Sequence, residues 1–167
     1  MSRTAQETAA EVVGVAIAKG ITVATAESLT AGMVAAILAN TPGASGMLQG
    51  GVVAYQNSVK ATVLGVSPAL LAEAGSVDAE VARAMAEGAR EACGADIGVS
   101  TTGVAGPEAH DGKDVGTVFI AVASGQGSEA FGYAFSGSRA EIREQAAAAA
   151  LDRVLELLRG AELPRVK

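Results

Sequence analysis

Cysteine occurs once in 167 residues, tryptophan is absent, and aromatic side chains make up 3% of the chain. A lone Cys93 excludes an internal disulfide and offers no CxxC redox or zinc pair, which suits a reducing compartment. With so few aromatics, the core must be assembled from Ala, Val, Leu and Gly, small side chains that favour close helix-on-sheet layers. Basic residues are also few: 12 Lys and Arg against 18 Asp and Glu leave a net charge of -6, and the cations are scattered along the chain. A surface that tracks phosphates needs clustered Lys and Arg, so nucleic acid is not expected as a partner. No apolar run approaches the ~20 residues of a membrane span. Glu7 and Glu11 fall where a secretory signal would need a basic end leading into an apolar block. These absences predict a cytoplasmic protein with no membrane partner.

The length suits one domain over residues 1–167, able to bury roughly two thirds of the surface its unfolded chain exposes. Thr4 to Lys19 carries Val13, Ala16 and Ile17 at helical spacing and meets Gly20 as a stop. Ile21 to Thr25 is a short β-branched strand, and residues 29–39 form a helix apolar nearly all round, which implies burial between other elements. Residues 47–55 read as a second strand, followed by short helices at Val59 to Leu64 and Pro68 to Ala74 and an amphipathic helix at Asp78 to Cys93. Asp96 to Thr102 is a third strand, 103–114 a loop, and Val115 to Ala123 a strand apolar on both faces. Phe131, Tyr133 and Phe135 alternate in a strand across a short turn, and Arg139 to Arg159 closes the chain as a helix. The order α β α β α α β β β α predicts a three-layer α/β/α sandwich with a mixed sheet, because the two hairpin-linked strands must be antiparallel. Ligands in such sheets bind outside the carboxyl ends of strands. Ser28, Tyr55 and the 103–114 loop all follow strands and are expected to converge at one edge.

Several motifs carry less than their letters suggest. "GQGSEA" (125–130) matches a phosphate-binding glycine fingerprint, but an alternating aromatic strand follows where a helix must open, so it reads as a hairpin turn. "EAHD" with Asp114 offers Glu108, His110, Asp111 and Asp114 at no standard metal spacing, and a flexible acidic loop is the simpler reading; no metal or organic cofactor is required. His110 is the only histidine, in a loop without a nucleophile elbow, so a Ser-His-Asp triad is not expected. Ser28 at a strand-to-helix junction reads most simply as a helix cap, and Lys60 in "AYQNSVK" (54–60) as a solvated cation, with Asn57 at a turn or cap. Together with Tyr55, however, they supply nucleophile, hydroxyl relay and amine base, the equipment of serine hydrolases that work without histidine.

The blocks "TAESLTAG" (25–32), "GGVVAYQNSVKATVLGV" (50–66), "STTGVAGPE" (100–108), "DVGTVFIAVAS" (114–124) and "FSGSRAEIRE" (135–144) resemble, in order and spacing, the CinA C-terminal family over about residues 5–160. That resemblance implies a nicotinamide-nucleotide amidohydrolase, converting nicotinamide mononucleotide and water to nicotinic acid mononucleotide and ammonia. The family's serine falls on Ser28, its tyrosine on Tyr55 and its lysine on Lys60. Two departures lie in the first block: Leu29 replaces the usual Cys, and Thr30-Ala31-Gly32 stands for Thr-Gly-Gly. Glu108-Ala109 also occupies positions where members tend to have glycines.

An amide is a poor electrophile, so its hydrolysis needs an activated oxygen and a holder for the developing oxyanion. Backbone amides of Leu29, Thr30 and Ala31, with Gly32, are expected to point out of the helix's first turn toward that charge. Glu27 is expected to order the turn by accepting hydrogen bonds. A free lysine has a pKa near ~10.4, so Lys60 needs burial, or the positive charge of Arg139 or Arg143, to act as base. Tyr55 would pass the proton between it and Ser28. Thr101, Thr102, the amides of Gly103 to Gly106 and the guanidinium of Arg139 are candidates for the substrate's phosphate and ribose. The alternative is a non-catalytic nucleotide-binding module of the same fold. Apolar helices on a small domain lead to the expectation of a homo-oligomer.

Overall fold

The computed structural model describes residues 3–160. Helix α1 (Ala5–Lys19) starts at Thr4, whose hydroxyl accepts from the Glu7 amide, and stops at Gly20 in the left-handed conformation. Strand β1 (Val23–Glu27) follows, buried at every residue. Helix α2 (Met33–Ala39), a 3-10 turn at Ala44–Gly46 and β2 (Leu48–Val53) come next. Short helices α3 (Asn57–Thr62) and α4 (Pro68–Ala74) lead to α5 (Ala79–Cys93), capped by the Asp78 carboxylate on the amides of Glu80 and Val81. Strands β3 (Ile97–Gly103), β4 (Thr117–Ser124) and β5 (Gly127–Ala134) and helix α6 (Arg139–Gly160) complete the chain.

The five strands lie in the order β2-β1-β3-β4-β5. β1 pairs parallel with β2 and β3, whereas β4 runs antiparallel to both β3 and β5. The mixed sheet expected from the hairpin is therefore present, with "GQGSEA" at its turn. Alternation along β4 divides the core: Val118, Ile120 and Val122 pack with α1, α2 and α6, while Ala121 and Ala123 face α5. Val81, Met85 and Ala89 of α5 close the other layer against Ala24 and Ala26 of β1. Large side chains buried this fully stabilise by about 1.5–3 kcal/mol each. α5 approaches the sheet so closely that a Cβ on Gly98 would lie 2.0 Å from the Ala86 carbonyl oxygen, which is why small residues line this contact.

One element differs from expectation. The helix anticipated over 29–39 begins only at Met33, after a tight turn in which Ala31 has φ 47° and Gly32 φ 99°. Only Val34 and Leu38 of α2 are fully buried, because α2 lies at the margin of the layer beside the edge strand. Its N-cap is Gly32, so Ser28 is not a helix cap. Asn57 is likewise the first residue of α3 and Gln56 its cap.

Candidate active site

The carboxyl ends of β1, β2 and β3 open on one cleft of about 610 Å³, a size usual for small-molecule sites. Ser28 and Leu29 line it from the turn after β1, Tyr55 and Asn57 from the segment after β2, Gly103 and Gly106 from the loop after β3, and Arg139 from the start of α6. The convergence expected of these loops is what the fold delivers.

Lys60 is the centre of the polar arrangement. α3 carries it inward until the residue is 1% exposed, and Nζ donates to Ser28 Oγ at 3.1 Å, to the Ala54 carbonyl at 2.8 Å and to the Tyr55 carbonyl at 3.2 Å. Burial alone lowers its pKa to about 8, since an ammonium loses hydration there. Of the two routes expected, burial or the charge of Arg139 or Arg143, burial is the one at work. The relay through Tyr55 is corrected. The chain leaves β2 so that the Tyr55 ring is half exposed and its hydroxyl accepts from Arg139 at 2.7 Å, while the lysine reaches Ser28 directly.

Behind the serine lies a buried network. The Glu27 carboxylate accepts from the Thr30 hydroxyl at 2.7 Å and from the amides of Val34 and Ala35 at 2.8 and 3.1 Å. With both carboxylate oxygens engaged by three donors and 1% exposure, Glu27 ties the turn to α2 and does not face the cleft. Because Thr30 donates to Glu27, its oxygen accepts from Thr101, at 2.8 Å; Thr101 in turn accepts from the Ser28 amide, with Oγ1 at 3.3 Å and its carbonyl at 3.0 Å. Thr102 donates to the Ser76 carbonyl. Thr30, Thr101 and Thr102 are thus buried and internally bonded, and none lines the cleft. Ala31 is exposed outside it, so the extra methyl affects the backbone conformation and not the space beside the serine. The amide of Ala31 closes the turn on the Ser28 carbonyl, whereas those of Leu29 and Thr30 donate to no other described residue.

On the other wall, Arg139 donates to the Gly106 carbonyl at 2.5 Å. Gly106 has φ 89°, and a Cβ there would meet Val115 at 2.8 Å, so only glycine suits the position. The 103–114 loop is anchored by the Asp111 carboxylate, which accepts from the amide and hydroxyl of Ser76 and is held below the usual carboxylate range by those bonds. Ser76 and Gln56 line the cleft and were not signalled by sequence, because nothing local links Ser76 to a loop 35 residues on. Glu108, His110 and Asp111 line it too, as parts of a loop wall; among the described residues no group of acidic, His or Cys side chains has a metal-binding arrangement.

Residues 5–158 match the CinA C-terminal domain. A CinA-like protein of Anaeromyxobacter dehalogenans is 52% identical over 136 residues, covering 81% of this chain and 33% of its own length. One from Frankia casuarinae is 43% identical over 149 residues, 89% of this chain and 34% of its own. The chain thus spans about a third of the length of these curated relatives. Among solved structures, competence damage-inducible protein A (ComA) from Klebsiella pneumoniae superposes with a TM-score of 0.92 at 32% identity, covering 96% of this chain and all 100% of that one. A competence-damaged protein (CinA) superfamily structure from Enterobacter cloacae gives 0.90 at 30%, covering 95% and 94%. With the sequence blocks, the sheet order and these likenesses in agreement, the chain belongs to the CinA family through its C-terminal domain.

Proposed function

We propose that this domain hydrolyses the carboxamide of nicotinamide mononucleotide to nicotinic acid mononucleotide and ammonia, with Ser28 as nucleophile and Lys60 as its base. The observation that carries the reading is the 3.1 Å contact between Lys60 Nζ and Ser28 Oγ in a site where burial sets the amine's pKa at about 8. At pH 7 such an amine is neutral in about one molecule in eleven, against about one in 2,500 for free lysine, so the cost of neutralising it falls from about 4.6 to about 1.4 kcal/mol. The neutral amine has two N–H groups for the carbonyls of Ala54 and Tyr55, and its lone pair then accepts from the Ser28 hydroxyl.

Ser28 Oγ attacks the carboxamide carbon and its proton passes to Lys60. The oxyanion is held by the amides of Leu29 and Thr30, which are otherwise uncommitted among the described residues. Lys60 returns the proton to the amide nitrogen as the C–N bond breaks and ammonia leaves. A water, deprotonated by the same amine, then hydrolyses the acyl ester and frees Ser28. Arg139 uses two of its five N–H donors internally, leaving others for the anionic end of the substrate.

The test is ammonia release from nicotinamide mononucleotide by the pure protein and by Ser28→Ala, which is expected to lower turnover by about a thousandfold or more. Undiminished release from the variant removes Ser28 as nucleophile. No release from the native protein, together with saturable binding of the nucleotide, replaces the reading with a non-catalytic nucleotide-binding module.

A further inference from the structure

Arg143 sits one helical turn beyond Arg139 on α6, so the two project from the same face. Arg139 reaches the cleft wall, whereas Arg143, half buried, donates through Nε to the Leu29 carbonyl at 2.8 Å and through Nη2 to the Thr30 carbonyl at 3.4 Å. We infer that Arg143 is a positioning residue, which sets the peptide planes of the nucleophile turn and thereby the direction of its amide donors and of Ser28. This inference rests on the reading of Ser28 as a nucleophile.

In a planar trans peptide the carbonyl and the following N–H point to opposite sides. Holding the Leu29 oxygen against α6 therefore turns the Thr30 N–H away from α6, and holding the Thr30 oxygen does the same for the Ala31 N–H, which is where it closes on the Ser28 carbonyl at 3.1 Å. Two successive planes are fixed by one guanidinium, whose rigid fork suits adjacent acceptors. The turn requires such a hold because Ala31 occupies φ 47°, a conformation that non-glycine residues keep only when their surroundings impose it. Glu27 secures the turn through a side chain, Thr30, and Arg143 secures it through the main chain.

The experiment measures the rate at which a fluorophosphonate labels Ser28, read by mass spectrometry, in the native protein, Arg143→Ala and Arg143→Lys. Labelling reports the alignment of the serine and needs no assumption about substrate. Arg143→Ala is expected to label about 10–100-fold more slowly, the scale of a nucleophile displaced by a fraction of an ångström to an ångström. Added guanidinium chloride at millimolar concentration should restore part of the rate, and Arg143→Lys should be intermediate. In ammonia release the loss should fall on kcat and leave KM and the pH midpoint near 8 unchanged. A rate in folded Arg143→Ala within twofold of native overturns the inference, as does a slow rate that guanidinium leaves unchanged. A native protein that labels at Ser28 but releases no ammonia removes the substrate reading alone; one that does not label at Ser28 removes both.

Discussion

In the buried wall behind the cleft, Glu27, Ser28, Thr30, Lys60 and Thr101 are each 9% exposed or less and their polar atoms bond to one another or to main chain. Tyr55, Asn57, Glu108, His110 and Arg139 line the same cleft from exposed positions, with side chains that meet few or no protein partners. Buried polar groups that are fully partnered are rigid, since each alternative arrangement leaves a donor or acceptor unpaired in a low-dielectric setting. The first wall thus fixes the geometry of the reacting groups, and the second keeps side chains available for a ligand. Substitutions on the buried wall should harm rate and stability; substitutions on the open wall should harm affinity and leave stability unchanged.

Lys60→Met is the most severe break. Ammonia release should fall by about a thousandfold or more, as for other members of a nucleophile–base pair. In the native protein, release should rise about tenfold from pH 7 to pH 9 as an amine with a pKa of about 8 loses its proton. The same group makes stability depend on pH. Its folded pKa lies below that of the unfolded chain, so between about pH 8 and pH 10.5 the unfolded state binds a proton that the folded state has released, and folding becomes more favourable as pH rises. Below about pH 8 both states are charged and the penalty is constant. Chemical denaturation across this window should show a rise of the order of 3 kcal/mol in the native protein that Lys60→Met lacks.

Glu27→Gln tests the wall without touching the dyad. The carboxylate faces three donors, and an amide group would turn one NH2 toward them, leaving a buried donor opposed to a donor. The expected loss is about 1–3 kcal/mol of stability, read from a denaturant midpoint. An unchanged midpoint would mean that the network contributes little to holding the turn.

Arg139→Gln samples the open wall. Its residue is exposed and its two bonds are to Tyr55 and Gly106. Stability should stay within about 0.5 kcal/mol, while KM for the nucleotide rises about 10–100-fold, the worth of a charge-assisted pair. A loss confined to kcat would place Arg139 with the buried wall.

The same contrast explains what was legible in the sequence. β-branched runs, the aromatic alternation of 131–135 and the periodic faces of α1 and α5 fixed the layers, because each depends on spacing within one segment. The Ser28–Lys60 contact was reached by combining residue types with family blocks, since no local pattern reports a bond across 32 residues. Burial of Lys60 was invisible for the opposite reason: its neighbours Ser58, Thr62 and Asn57 are polar and exposed, and only the tertiary fold turns this one position inward. The late start of α2 was missed because "SLTAGMVAAILA" is apolar enough to read as continuous helix. The stop lies in the backbone at Ala31 and Gly32 and in the reach of Glu27 past them to Val34.

Ala31→Gly is the mildest and sharpest test of what holds that turn. At φ 47° an alanine strains its backbone where glycine does not, which favours glycine by about 1 kcal/mol, yet glycine also gains freedom in the unfolded chain, which offsets up to about the same amount. The net change in stability should therefore lie within about 1 kcal/mol. Activity discriminates further. If Glu27 and Arg143 fix the turn as argued, a more permissive residue at 31 leaves Ser28 in place, and turnover stays within about twofold of native. If the alanine itself supplies the rigidity, Ala31→Gly loosens the serine and turnover falls. In that case the two restraints act separately and the losses of Ala31→Gly and Arg143→Ala should add in the double variant, whereas partly redundant restraints on one peptide segment predict a loss greater than that sum.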